Sequence, residues 1–94
     1  MILRRFKVSG NSMEPALKHG QQVIGEKLSY YFRNPKCGDL AVVRHPNKNI
    51  LIVKRIAGIT GEKYFVEGDN KNASDDSRQF SFISRKNILY RVIQ

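Results

Sequence analysis

Apolar and polar residues alternate with a period of two through most of the chain, and β-branched residues fill many of the apolar positions. Five segments carry this signature: residues 21–25 (QQVIG), 39–44 (DLAVVR), 49–59 (NILIVKRIAGI), 64–67 (YFVE) and 88–93 (ILYRVI). That repeat belongs to a strand, whose successive side chains point to opposite faces. Turn formers fall between the segments: His19-Gly20, Asn34-Pro35 to Gly38-Asp39, His45-Pro46-Asn47, Thr60-Gly61-Glu62 and Gly68-Asp69-Asn70. The apolar lead-in to Ser9 and Gly10 reads as extended, and Gly20, Gly25, Gly38, Gly58 and Gly61 read as turn positions needing positive φ. Short strands punctuated this way predict a mainly β fold, a small antiparallel sheet curled into a barrel. Helix is limited to one or two short turns, near residues 15–18 and 28–32.

Length and charge narrow this picture. The 94 residues make one domain, 1–94, with no linker, repeat or low-complexity segment. Seventeen Lys and Arg against eight Asp and Glu give a net charge of +9, which suits nucleic acid, an anionic surface or an acidic partner. The basic residues are dispersed, with adjacent pairs only at Arg4-Arg5, Lys54-Arg55 and Arg85-Lys86. A lone cysteine, Cys37, excludes an internal disulfide, and no Cys/His cluster has zinc spacing. The apolar run at residues 50–53 is far short of the roughly 20 residues a spanning helix needs. MILRRFKV is too short and too basic for a signal-peptide core.

Three stretches carry candidate chemistry. In FKVSGNSMEPAL (6–17), small residues lead into Ser12, with Met13 and Pro15 fixed behind it. A serine becomes a nucleophile when a base within hydrogen-bond reach takes its proton. His19 and His45 are available, but both stand in turns without a carboxylate nearby in sequence. Lys54 is the other choice. Alternation puts it on one side with Ile52 and Ile56; buried there it would lose its charge readily and act as a base, whereas on a solvated face it would not. In GDNKNASDDSR (68–78), Asp76 and Arg78 bracket Ser77 and are placed to pair, and Ser74 is suited to meet a lysine amine.

Taken in order, VSGNSMEPAL, VKRIAG and GDNKNASDDSR resemble the boxes of the type I signal peptidase family of Ser/Lys endopeptidases, and CGDLAVVRHP resembles the strand between the first two. The resemblance spans about residues 8–92. It implies the β-barrel-like fold of the signal peptidase/LexA type, with Ser12 as nucleophile and Lys54 as general base. Gly10, Asn11 and Met13 would form the oxyanion hole and substrate cleft, and Pro15 would stiffen the turn. Ser74 would orient the lysine, and Arg55, Asp69, Asp76 and Arg78 would hold the site through ion pairs and hydrogen bonds. No metal or other cofactor is implied. Many bacterial members carry serine where Gly10 stands, whereas the mitochondrial and compact bacterial members carry glycine. Ser81 stands where glycine is often found.

The compact, anchorless nickel-type superoxide dismutase maturation proteases show the same combination of motifs. The implied partner is a precursor protein or peptide bound extended, whose N-terminal leader or propeptide is removed. The chain is expected in the cytoplasm without a transmembrane anchor, with room for peripheral membrane contact through MILRRF. Its oligomeric state leaves no mark in the sequence. The LexA-like repressors share the V-x-G-x-S-M start but not the last box. The competing reading from another class is a basic β-barrel that binds single-stranded nucleic acid without catalysis. There Tyr30, Tyr31 and Phe32 would stack bases while Lys and Arg contact phosphates; nucleic acid is not the expected partner.

Overall fold

The computed structural model describes residues 2–73 and 75–93. Seven strands form one antiparallel sheet: β1 (Leu3–Lys7), β2 (Gln22–Glu26), β3 (Leu40–Arg44), β4 (Leu51–Thr60), β5 (Lys63–Glu67), β6 (Ile83–Ser84) and β7 (Ile88–Ile93). Their order is β1-β2-β7-β3-β4-β5-β6. β1 and β6 do not pair, so the sheet is a half-barrel rather than a closed one. The five predicted strands are present with shifts of a residue or two at their ends.

Alternation builds the core on both faces of the central strand. Leu40 and Val42 of β3 join one buried cluster with Val8, Met13, Leu17, Val23, Tyr90 and Val92. Ala41 and Val43 join another with Tyr30, Ile56, Tyr64, Val66, Ile83 and Ile88. Leu51 and Val53 of β4 pack on the first, Ile52 on the second. The ladder slips between Val42 and Val43 and again between Ile56 and Gly58, and such bulges bend a sheet.

Helix is as scarce as expected but is placed differently. The short α1 (Leu28–Phe32) occupies its predicted place. Residues 15–18 hold only a hydrogen-bonded turn, with Leu17 N–H on the Met13 carbonyl at 2.9 Å. Single 3-10 turns stand at Lys71–Ala73 and Arg85–Asn87, and a second α-helical turn is α2 (Ser77–Phe80), in a stretch whose Ser and Asp content reads as loop. Those residues act as a cap instead. Asp76 accepts from the Arg78 amide while Gln79 accepts from the Asp76 amide, a reciprocal capping box. Gly25 and Gly58 are also corrected, since neither has positive φ. Gly25 lies inside β2 where a Cβ would come within 2.8 Å of the Tyr90 Cβ, so close packing, not a turn, requires glycine there.

Ser81 ends α2 at φ 70°, ψ −167°, a conformation that is essentially glycine's. The side chain is exposed and the backbone strained. Ser81→Gly should therefore raise stability by about 1 kcal/mol after the entropy cost of glycine, read as a higher urea midpoint at unchanged slope. An unchanged or lower midpoint would contradict this.

Candidate active site

Two elements far apart in sequence bring the central groups together. Ser12 sits in the turn that follows β1, anchored from behind by Met13, which is 1% exposed in the first core cluster. Lys54 projects from the first half of β4 opposite Ala41, on the face that carries Ile52 and Ile56. Its Nζ lies 2.8 Å from Ser12 Oγ, across 42 positions of chain. Lys54 is 3% exposed. Burial holds its amine below the usual lysine range; Asp76 and then Asp75 pull the other way, and Arg78 adds slightly to the lowering.

The Gly68–Asn70 stretch ties both halves of the pair. Asp69 receives Arg55 Nε and Nη2 at 2.9 Å each, fixing the residue next to Lys54. The Asn70 amide donates to the Ser12 carbonyl at 2.8 Å, and its side chain donates to the Asn11 carbonyl at 3.1 Å. Asp76 is fully buried, accepting from the Gly68 amide at 2.8 Å and from the Arg78 amide and Nε at 3.0 Å each. Arg55, Asp69, Asp76 and Arg78 thus form two separate ion pairs, Arg55–Asp69 and Arg78–Asp76, on either side of Gly68. Asn70 was assigned no role from sequence; its place inside the GDN box was the available signal. Ser74 lies outside the described residues.

The remaining expected residues fall around the serine turn. Gly10 has φ +84°, open space where a Cβ would stand, and its N–H on His19 Nδ1 at 2.8 Å. His19 is therefore engaged with backbone through that nitrogen. The Ser12 amide has no acceptor among the described residues. Asn11 is exposed, and Pro15 follows a cis bond from Glu14 on the outer side of the turn. His45 is buried against Asp75, at 3.0 Å, a pairing over thirty positions that sequence reasoning missed.

A cleft of about 310 Å³ runs past the pair, lined by Lys7, Val8 and Ser9 on one side and residues 50–54 on the other, with Ser12 and Met13 at its end. Leu51 to Lys54 pair with β3 on one edge, while the β5 ladder begins only at Arg55. Their other edge is open to the cleft. Within the aromatic run, Tyr30 is buried with its hydroxyl on Asp39, and Arg33 pairs with Asp39, whereas Tyr31 and Phe32 are exposed. Among the described residues no group of His, Cys, Asp or Glu could hold a metal ion, and no helix is long and apolar enough to cross a membrane.

Fold and site together define a small β protein that presents a serine hydroxyl to a desolvated lysine beside an open strand edge. The chain belongs to the signal peptidase, peptidase S26 family, whose sequence profile matches residues 1–63 and 59–93. Signal peptidase I of Leptolyngbya laminosa is 25% identical over 92% of this chain and 64% of its own length. Signal peptidase I of Buchnera aphidicola subsp. Baizongia pistaciae is 36% identical over 66% of this chain and 24% of its own length. Mitochondrial inner membrane protease subunit 1 of Xenopus tropicalis is 30% identical over 89% of this chain and 63% of its own. This chain therefore spans less than two thirds of the length of these three relatives.

Proposed function

We propose that this protein is a serine endopeptidase that removes an N-terminal leader or propeptide from a precursor bound in extended form. The observation that carries the reading is the 2.8 Å contact between Ser12 Oγ and the Nζ of a buried lysine. Either group donates in such a contact, as protonation dictates. With the amine neutral, Lys54 takes the Ser12 proton as Oγ bonds to the scissile carbonyl carbon. The carbonyl electrons move onto its oxygen, to which we assign the Ser12 amide as donor; since Gly10 has no side chain, the proposed oxyanion hole is built from backbone without a serine hydroxyl. Collapse breaks the C–N bond, and the leaving amine takes the proton from Lys54. Water then attacks the acyl ester, gives its proton to Lys54, and Ser12 is restored.

The open edge of residues 51–54 supports an extended substrate, since a peptide strand laid there gains main-chain hydrogen bonds while alternate side chains enter the cleft. On motif resemblance we assign the propeptide of a nickel-type superoxide dismutase as the precursor. Incubation of that precursor, followed by mass spectrometry, should give one new N-terminus with the wild type and none with Ser12→Ala. Cleavage that persists in Ser12→Ala would overturn the serine mechanism. If other extended precursors are cut and this one is not, the precursor assignment alone fails. Steeply salt-dependent oligonucleotide binding, with no precursor cut, would favour the nucleic-acid reading.

A further inference from the structure

His45 follows β3 and is 4% exposed, yet both of its ring nitrogens are engaged. The Asn47 amide points at Nδ1 from 3.0 Å, and an amide can only donate, so Nδ1 is the acceptor. The proton of the neutral ring is then on Nε2, which donates to Asp75 Oδ2 at 3.0 Å. Lys48, on the same hairpin, donates to the same oxygen at 3.0 Å. The Phe80 ring of α2 packs edge-on against the imidazole, 4.7 Å between centroids. Asp75 itself is half exposed, so its direction depends on these two partners rather than on packing.

Asp75 immediately precedes Asp76, and both carboxylates act on Lys54. They differ in freedom. Asp76 is held by the Gly68 amide, the Arg78 amide and the Arg78 guanidinium. Asp75 is held by the β3–β4 hairpin alone among the described partners. A buried ammonium attracts any carboxylate that can reach it, and a carboxylate close to it keeps it protonated.

We propose that His45, helped by Lys48, is a positioning residue that holds the Asp75 carboxylate on the β3–β4 hairpin and away from Lys54, so that the amine keeps Ser12 as a partner. Among the described residues, Ser12, Asp75, Asp76 and Arg78 act on Lys54, and Asp75 and, through it, Lys48 face His45. The consequence for catalysis rests on the peptidase reading above, whereas the effect on the amine does not.

The test is an NMR titration of the Lys54 side chain, followed by its amine and adjacent methylene signals, in the folded protein. His45→Phe keeps a ring against Phe80 but releases Asp75, and should move the Lys54 titration to higher pH. Asp75→Asn removes the charge and should move it to lower pH. The double variant should follow Asp75→Asn, because the released side chain no longer carries charge. His45→Gln, which keeps a donor near the Nε2 position, should stay close to wild type. In precursor cleavage His45→Phe should lower kcat/KM at pH 7 roughly tenfold as the fraction of neutral amine falls.

A Lys54 titration in His45→Phe that is unchanged, or moved to lower pH, would overturn the proposal, as would a double variant that titrates like His45→Phe. Should His45→Phe fail to fold, His45→Gln and Asp75→Asn still decide it: the first must match wild type and the second must shift downward. If the titrations behave as expected but no precursor is cut by the wild type, the peptidase reading fails and the placement of Asp75 stands.

Discussion

Lys54→Arg is expected to be as inactive as Lys54→Ala, with kcat lowered by about 10⁴-fold or more in both. The arginine keeps length, charge and hydrogen-bonding capacity, so a lysine that served only as an electrostatic or structural prop would be replaced with partial success. A proton acceptor would not, since guanidinium stays protonated at any pH the protein survives. The geometry makes the test sharp. Nζ is already 2.8 Å from Ser12 Oγ and Lys54 is only 3% exposed, so the chemical property arginine lacks for this role is an accessible neutral form. Substantial turnover by the arginine variant would refute the base role.

The same burial gives the pH dependence a definite sign. Cleavage by the wild type should rise with pH through the lowered pKa of Lys54, because only the neutral amine accepts the proton. Stability follows by linkage. The unfolded chain holds the Lys54 proton up to the ordinary lysine range, whereas the folded chain releases it earlier. Between those two values the unfolded state binds more protons, so the Lys54 contribution becomes more favourable as pH rises and its penalty is fully present below the folded value. Lys54→Met should accordingly be dead as a peptidase and more stable at neutral pH, the trade a functional buried charge makes. Thermal melts at pH 6 and pH 9 would read the sign: the advantage of the methionine variant should shrink at the higher pH.

The main strands could be anticipated because they rest on short-range pattern. A period of two put Lys54 on the side of Ile52 and Ile56, the face that is buried. Its pairing with Ser12 across 42 positions came from the resemblance of three stretches to the signal peptidase boxes, not from periodicity. What stayed hidden depended on contacts with no local signature. Nothing in RHPN announces that His45 meets Asp75, nor does GDN say that Asn70 closes on Asn11 across 59 positions. The Asp76–Arg78 pair was legible from its spacing around Ser77, whereas the partner of Arg55, Asp69 fourteen positions on, is set by the loop's path. β1 escaped notice as a regular strand because LRRFK breaks alternation, with four of its five side chains exposed at the sheet edge. For α2 the signal was present: Asp76 and Gln79 stand three apart, the spacing of a capping box.

Asp76→Ala should cost the fold more than any other single change around the site, about 3–5 kcal/mol. The carboxylate is fully buried and makes three kinds of contact, to Gly68 and to the backbone and side chain of Arg78. It satisfies the Gly68 amide ahead of the 68–70 loop, caps α2 through the Arg78 amide, and neutralises the Arg78 side chain. Alanine leaves the buried Gly68 amide without an acceptor and α2 without its cap, each a penalty of about 1 kcal/mol or more. A chain of this length has a total stability of roughly 5–14 kcal/mol, so the loss is a large fraction of it. It should appear as a fall in Tm of roughly 15–25 °C. Asp76→Asn separates these contributions in part. The two backbone N–H groups bond different carboxylate oxygens, and the amide keeps one of them as an acceptor. The asparagine variant should therefore lose less stability than alanine, its deficit coming from the second N–H, left facing the amide NH2, and from the lost charge opposite Arg78. Equal losses in the two variants would mean that what asparagine lacks, the charge and the second acceptor oxygen, holds the Gly68–Asn70 loop over Ser12. In that case Asp76→Asn should also loosen the Asn70 contact with Ser12, seen as faster hydrogen exchange at the Asn70 amide.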